Sequence, residues 1–310
     1  MFRILTIFLL LCLPVLHACQ QESSSKPVIV STIKPIHALV YAIAGGDNSP
    51  LDIRQLLPDG ASPHHYALKP SEMRSLETAS VVFRIASGLE TFLDKPLATS
   101  LPNRRIITLA EAQGIQPLGS RAQHSQHVMP GHETHSADLH LWLNPENAIA
   151  MSQAIAKTLG EIDSRHQADY LANAAQLIQQ IQATDARIRQ QLAPLNDKPY
   201  LSFHDAWQHF DTHYGLNFAG AVTLDVSRLP GARHVQDIRK IIEEKQAVCL
   251  FQEPQFSPAM VKTLVEGTTI HIGKLDPLGM QLPLDKETYI NLLQAAADSF
   301  QQCLTATTPQ

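Results

Sequence analysis

The fold is constrained most by one long helical stretch that lies between two regions of alternating strand and helix patterns. Residues 164–192 are rich in Gln and Ala and contain neither Gly nor Pro. At about 1.5 Å per residue, this stretch predicts a helix roughly 45 Å long, enough to run along two neighbouring domains. A chain of 310 residues is also long enough to form two hydrophobic cores of ordinary size.

Short apolar runs rich in β-branched residues lie on both sides of the predicted helix and alternate with segments of helical length. This alternation favours parallel sheets covered by helices. We therefore predict an α/β fold with two lobes of mostly parallel sheet, residues 27–160 and 196–310, joined by one long rigid helix within residues 161–195. The strand candidates are residues 28–32, 53–57, 81–86 and 106–109 in the first lobe and 200–203, 218–224, 247–251 and 268–272 in the second.

The first 19 residues are typical of a bacterial export signal. Arg3 supplies positive charge, and residues 4–16 form an apolar run that is shorter than the ~18 residues of a permanent membrane span. The tetrapeptide ending at Cys19 resembles the lipobox of bacterial lipoproteins, although His17 is unusual at its place. We expect acylation of Cys19, with residues 20–26 as a tether; the alternative is cleavage nearby and a soluble protein.

The charge and cysteine content fit a folded protein outside the inner membrane. The formal net charge is -5, and the sequence lacks the basic stripe of a nucleic-acid-binding protein. Cys249 and Cys303 are the cysteines left after the predicted signal and lipid site. In an oxidising compartment we expect them to pair, with two free buried thiols as the alternative. The bridge would close a loop of about 54 residues and contribute ~4 kcal/mol on the chain-entropy model.

Three of the 15 histidines stand where a predicted strand meets a turn: His64, His140 and His204. Ligands bind at the carboxyl ends of strands in open α/β sheets, and neutral imidazole is a good zinc ligand. Asp138 and Asp205 are near enough in sequence to accept hydrogen bonds from the ring nitrogens. The three histidines are far apart in the chain, however, so an ordinary hydrogen-bonded loop role stays open.

Five segments carry a resemblance to a known family. In order, they are PDGASPHHYALKPSE, DLHLWLNP, SFHDAW, CLFQEPQFSP and KLDPLG. They resemble the zinc-binding proteins of ABC zinc importers, the ZnuA type of the cluster A-I metal-binding family, from about residue 27 to residue 303. The resemblance implies two α/β lobes linked by a rigid helix, with the metal in the cleft between them.

The resemblance also implies a ligand set. The family's zinc ligands fall on His64, His140 and His204, with His65 as the rival of His64. Manganese-type members have a carboxylate in place of His204, and a third imidazole favours zinc. Asp276 matches a carboxylate that completes the site in several relatives; the alternatives are a water ligand and a purely structural role in capping its own turn. The Cys249–Cys303 pair resembles a disulfide of the zinc branch.

Residues 114–137 interrupt the strand and helix pattern and are rich in His, Ser, Gln and Gly. Such a loop resembles the His-rich loop of the zinc branch. We expect mobile imidazoles there to bind zinc weakly, as auxiliary ligands that raise its local concentration. An exposed linker without a role in binding is the alternative. The histidines concerned are His124, His127, His132 and His135.

The predicted function follows from the resemblance. We expect a monomeric, non-enzymatic binding protein in the periplasm or cell envelope that captures Zn²⁺ and delivers it to the membrane permease of an ABC importer, with no nucleic-acid partner. A manganese-binding or adhesin member of the same family is one alternative. A zinc hydrolase is the other, since three histidines with an open position also occur in catalytic zinc sites. Glu253 is predicted to be structural.

Overall fold

The first sheet is built from four parallel strands. The computed structural model describes residues 26–101, 104–121, 137–223, 231–254 and 258–306. Strands β2 and β3 both pair with β1, and β4 extends the sheet beyond β3, so the strand order is β2-β1-β3-β4. The ranges are β1 (Val28–Ser31), β2 (Asp52–Gln55), β3 (Val81–Arg84) and β4 (Ile106–Thr108).

Three helices connect these strands. The helix after β1 is buried along almost its whole length, because its apolar residues face both the sheet and the rest of the core. The helix before β3 is mostly solvent-exposed and begins with a proline at its first turn, where a missing N–H is tolerated. The ranges are α1 (Lys34–Ile43), α2 (Pro70–Thr78) and α3 (Asp94–Thr99).

The middle of the chain consists of a short antiparallel ribbon and two long helices. Strands β5 (Leu118–Gly119) and β6 (Ala137–Asp138) pair with each other. Helix α4 (Pro145–Ile162) begins after Asn144, whose side chain accepts the N–H of Glu146 at 2.9 Å and so satisfies an open donor of the first turn.

The predicted long helix is confirmed. Helix α5 (Gln167–Leu192) has 26 residues and is therefore about 39 Å long. A short 3₁₀ turn flanks it at each end. One side of α5 is buried at intervals of three or four residues, which is the pattern of a helix that packs along a core.

The second sheet repeats the strand order of the first. Its strands are parallel and lie in the order β8-β7-β9-β10, so in each sheet the first strand of the lobe lies between the second and the third. The strands are β7 (Tyr200–His204), β8 (Phe218–Thr223), β9 (Cys249–Gln252) and β10 (His271–Lys274), and the helices are α6 (Gln208–Tyr214), α7 (Ala232–Glu244), α8 (Pro258–Val265) and α9 (Thr288–Leu304).

One hydrophobic core continues through both lobes. It contains buried residues of β1 and β3, of α4 and α5, and of α9. A smaller cluster fills the space between the second sheet and helices α7 and α8. Helix α9 belongs to the second lobe by sequence, yet it packs against α1 and α5 as well as β10. None of the helices in the described ranges combines the length and the apolar character of a membrane span.

The fold class and the disulfide predicted from the sequence are confirmed. Two parallel α/β sheets are present, and Cys249 at the start of β9 is bonded to Cys303 near the end of α9, with Cα atoms 6.0 Å apart. The lobe boundaries at residues 160 and 195 stay a prediction. The predicted signal and Cys19, and the four histidines of the His-rich loop, lie outside the described residues.

Candidate metal site

Three imidazoles from distant parts of the chain meet between the lobes. His64, His140 and His204 each offer a ring nitrogen within 4.8 Å of the other two. Their ring centroids are 5.0–5.3 Å apart, and Nε2 of His64 lies 3.3 Å from Nε2 of His140. Two ligands of a tetrahedral zinc ion, each about 2.0–2.1 Å from the metal, are about 3.3–3.4 Å apart. The observed separation therefore suits a shared zinc ion.

His204 is placed by the second sheet. It is the last residue of β7, and Glu253 directly follows β9, the strand beside it. Because the strands are parallel, both residues lie at the carboxyl edge of the sheet. They stand at its topological switch point, where the connections from neighbouring strands run in opposite directions along the sheet. Nδ1 of His204 lies 3.4 Å from Oε1 of Glu253, close enough for an ion pair but longer than a good hydrogen bond.

His140 is fixed by a carboxylate two residues away. Oδ1 of Asp138 lies 2.7 Å from His140 Nδ1 and accepts the backbone N–H of the same histidine at 3.0 Å. An ionised carboxylate can only accept, so Nδ1 carries the proton and Nε2 presents its lone pair to the other rings. The predicted role of Asp138 as an acceptor for the ring nitrogen agrees with this geometry.

His64 lies on the loop that follows β2 and is the least buried of the three rings. Its backbone N–H donates to the Ser62 hydroxyl at 3.3 Å. The loop turns at Gly60, whose φ of +91° is a backbone conformation that glycine adopts at low cost. A loop, and not a strand end, therefore carries this ring into the site.

The buried carboxylates match the charge of a divalent cation. Burial alone would raise the pKa of Asp138, but the charge and hydrogen bond of His140 hold it below its ordinary value. Burial would lower the pKa of His204, but the attraction of Glu253 raises it above its ordinary value. If three neutral imidazoles held a divalent cation, the carboxylates of Asp138 and Glu253 behind them would supply the negative charge that the rings do not bring.

Asp205 does not have the predicted role. Its carboxylate accepts from Arg121 at 3.0 Å, and the same guanidinium binds Asp211 at 2.5 Å. Among the described residues, the carboxylate that pairs with Nδ1 of His204 is that of Glu253, at 3.4 Å, whereas the sequence predicts only a structural role for Glu253. The signal that marks Glu253 is its position at the carboxyl end of a strand, which becomes informative only when that strand is known to neighbour β7.

Asp276 lies outside the group of three imidazoles. Its Oδ1 accepts the N–H groups of Leu278 and Gly279, both at 3.0 Å, and its Oδ2 accepts the N–H of Met280 at 2.7 Å. Burial raises the pKa of Asp276 despite these bonds. Both carboxylate oxygens thus cap the following turn. Metal ligation by Asp276 stays a prediction. His65, the rival of His64, is exposed and also lies outside the group.

The chain is similar to known proteins over most of its length. It matches the family described as "ZnuA: Zinc-uptake complex component A periplasmic" over residues 29–303. The high-affinity zinc uptake system protein ZnuA of Brucella abortus (strain 2308) is 36% identical over 308 residues, covering 89% of this chain and 91% of that protein. The resemblance predicted from the five segments is thereby confirmed.

Solved structures agree with the sequence comparison. The crystal structure of ZnuA superposes with a TM-score of 0.74 at 25% identity and covers 91% of this chain and 99% of its own. A ZnuA deletion mutant with zinc bound gives the same TM-score of 0.74 at 26% identity, with coverages of 92% and 100%. The two-lobed fold is therefore shared along nearly the entire chain.

Proposed function

Because the chain belongs to the family of periplasmic zinc-uptake complex components A, we propose that it captures Zn²⁺ in the periplasm and delivers it to the membrane permease of an ABC importer. The relative from Brucella abortus is named as a high-affinity zinc uptake system protein. In this proposal the metal ion is the cargo, and the protein binds it without changing it chemically.

The observation that carries the proposal is the convergence of His64, His140 and His204 within 4.8 Å. We propose these three residues as the ligands, with Asp276 or a water molecule as the fourth. Imidazole nitrogen suits zinc, whereas manganese prefers carboxylate and other oxygen ligands. All three ligands that lie close together are nitrogens, which favours zinc over manganese.

A zinc hydrolase is less well supported by the same site. Such an enzyme needs a general base within reach of a metal-bound water. Asp205 is paired with Arg121, and both oxygens of Asp276 accept backbone N–H groups, so neither is poised as a base. The family is one of transport components, and we propose that this chain has no enzymatic activity.

Metal analysis of the purified protein tests the proposal. We expect one tightly held Zn²⁺ in the wild-type protein and loss of most of it in the His64→Ala, His140→Ala and His204→Ala variants. The matched control is His271→Ala, which removes an imidazole from β10. Native mass spectrometry at equal Zn²⁺ and Mn²⁺ should show zinc in the site. Full zinc content in all three variants would contradict the ligand assignment, and preferred loading of manganese would contradict the metal.

Further parts of the proposal concern the rest of the chain. We propose lipid attachment at Cys19, a monomeric state, and a lobe division at residues 27–160, 161–195 and 196–310. We also propose that the His-rich loop is an auxiliary zinc collector. Deletion of residues 123–136 should leave one tight zinc site, measured by competition with a chelator. Loss of that site would contradict the auxiliary role.

A further inference from the structure

Lys34, the first residue of α1, contacts one loop from each lobe. Its Nζ donates to Oδ2 of Asp59 at 2.8 Å and to the carbonyl oxygen of Met280 at 3.0 Å. The Lys34 side chain is only 7% exposed. A buried ammonium without acceptors is energetically costly. The two contacts therefore favour an arrangement in which both loops stay beside Lys34.

Both loops lead to the candidate metal site. Asp59 lies on the loop that follows β2 and carries His64 at its other end. Met280 lies at the end of the turn capped by Asp276, and its N–H donates to Asp276 at 2.7 Å. The backbone turn at Gly60 also approaches Met280 closely, since a Cβ atom there would lie 3.1 Å from the Met280 methyl group. The two loops therefore pack directly against each other beside Lys34.

His64 is the ring of the site that is best placed to move. His140 and His204 are each 6% exposed; His204 ends strand β7, and His140 lies two residues after strand β6. His64 is only partly buried and stands on a loop. A small opening lined by Lys34, Asp59 and Met280, among others, lies beside that loop.

We propose that Lys34 is a positioning residue that holds the His64 loop against the second lobe and thereby slows the release of zinc. Lys34, Asp59 and Met280 together form what we call the Lys34 latch. The inference rests on the proposed zinc-binding function and adds the route of release: the His64 side of the site opens first. The latch should act on the dissociation rate more than on the association rate, because it restrains a ring that is already bound to metal.

The test is the rate of zinc release from the full chain into excess EDTA, followed by stopped-flow. Lys34→Met keeps the length of the side chain and removes its charge. We expect about tenfold faster release, the effect of losing one partly exposed charged contact, with one zinc still bound and the association rate nearly unchanged. The matched control is Lys26→Met, which removes a lysine contact to the Ser49 carbonyl oxygen in the same lobe and should leave release unchanged.

A second variant keeps the test decisive if Lys34→Met does not fold. Asp59→Asn removes the same ion pair from its half-exposed side and should also speed release. In a foldable double variant the two effects should not add, since they break one contact. Wild-type rates in Lys34→Met or Asp59→Asn, or equal acceleration in Lys26→Met, would overturn the latch. A wild-type protein without bound zinc would instead defeat the proposed function.

Discussion

The two sheets of this protein have the same strand order and share a register detail. In the first sheet Ser31 of β1 lies opposite Phe83 of β3. In the second sheet Ser202 of β7 lies opposite Phe251 of β9. These Ser–Phe pairs therefore mark equivalent positions in the two sheets, and the residues that follow them occupy equivalent places at the two carboxyl edges.

Two residues beyond each pair the lobes differ in chemistry. The first sheet has Ile33 and Ile85 there, both buried. The second sheet has His204 and Glu253, which are also buried and stand 3.4 Å apart. The same place in the same fold is thus filled by hydrocarbon in one lobe and by a polar pair in the other. The fold provides the position, and two side chains determine whether it packs into a core or faces the cluster of three imidazoles.

The largest expected effect comes from giving the second lobe the first lobe's pair. In His204→Ile/Glu253→Ile we expect zinc affinity to fall by more than ~100-fold, beyond the 10–100-fold loss typical when only a ligand's partner is removed. The zinc-free protein should be equally stable or ~1–4 kcal/mol more stable, because buried ion pairs are often replaced by apolar residues without loss. Chelator competition and melting of the zinc-free protein measure the two effects.

The control for this exchange lies in the first lobe. Ile33→Val removes one methylene from the equivalent position and should cost about 0.5–1.5 kcal/mol without changing zinc affinity. Retained zinc binding in the double variant would contradict the comparison. A large loss of zinc-free stability in that variant would show that the polar pair supports the fold and not only the site.

The second prediction concerns the disulfide of the second sheet. Replacing Cys249 and Cys303 by Ala should lower the free energy of unfolding by ~4 kcal/mol on the chain-entropy model, since the bridge closes a loop of 54 residues. Denaturant titration measures the loss. Reductant should destabilise the wild-type protein by a similar amount and leave the double-Ala variant unchanged. Equal stability with and without the bridge would show that packing of α9 alone holds β9.

A third prediction separates the two buried glutamates. Glu253→Gln should weaken zinc binding ~10–100-fold with little change in melting temperature. Glu90 accepts bonds from the Thr32 hydroxyl and from the N–H groups of Ile85 and Ala86. Glu90→Gln turns one acceptor into a donor there, so it should cost about 1–3 kcal/mol and leave zinc affinity unchanged. Zinc titration and thermal melting measure the two effects. Loss of zinc affinity in Glu90→Gln, or a large loss of stability in Glu253→Gln, would contradict this prediction.

The smallest effect is a shift in pH dependence. Glu253 raises the pKa of His204 against the effect of burial, so in the zinc-free protein this ion pair stabilises at low pH and is lost as pH rises through the raised pKa. Zinc must displace that proton, so zinc affinity should fall by about tenfold per pH unit below this value, which lies above the ordinary ~6.5. In Glu253→Gln the onset of the fall should move to lower pH. An unchanged onset would contradict the role of Glu253.

Local signals were enough to predict most of the fold. The alternation of apolar runs predicted the strands, and the Gly- and Pro-free stretch predicted α5, because both patterns depend on neighbours in sequence. The last strand was misplaced: residues 268–272 were predicted, and β10 is His271–Lys274. The strands β5 and β6 have two residues each, too few for a periodic signal.

The surroundings of the site were predicted less well because they depend on contacts between distant residues. The three histidines came from motifs, and Asp138 was found because it is two residues from His140. Asp205 was chosen for the same kind of proximity, yet it binds Arg121, which is 84 residues away. Glu253 was missed because nothing in the sequence states that β9 is the neighbour of β7.

The position of α9 has a consequence for how the chain matures. Helix α9 packs against α1 and α5, so the part of the chain that precedes α9 leaves apolar surface uncovered until α9 has been synthesised. We therefore expect the core that both lobes share to be completed only when α9 has docked. We expect a chain cut short before Thr288 to expose this apolar surface and to be degraded faster by proteases than the full chain.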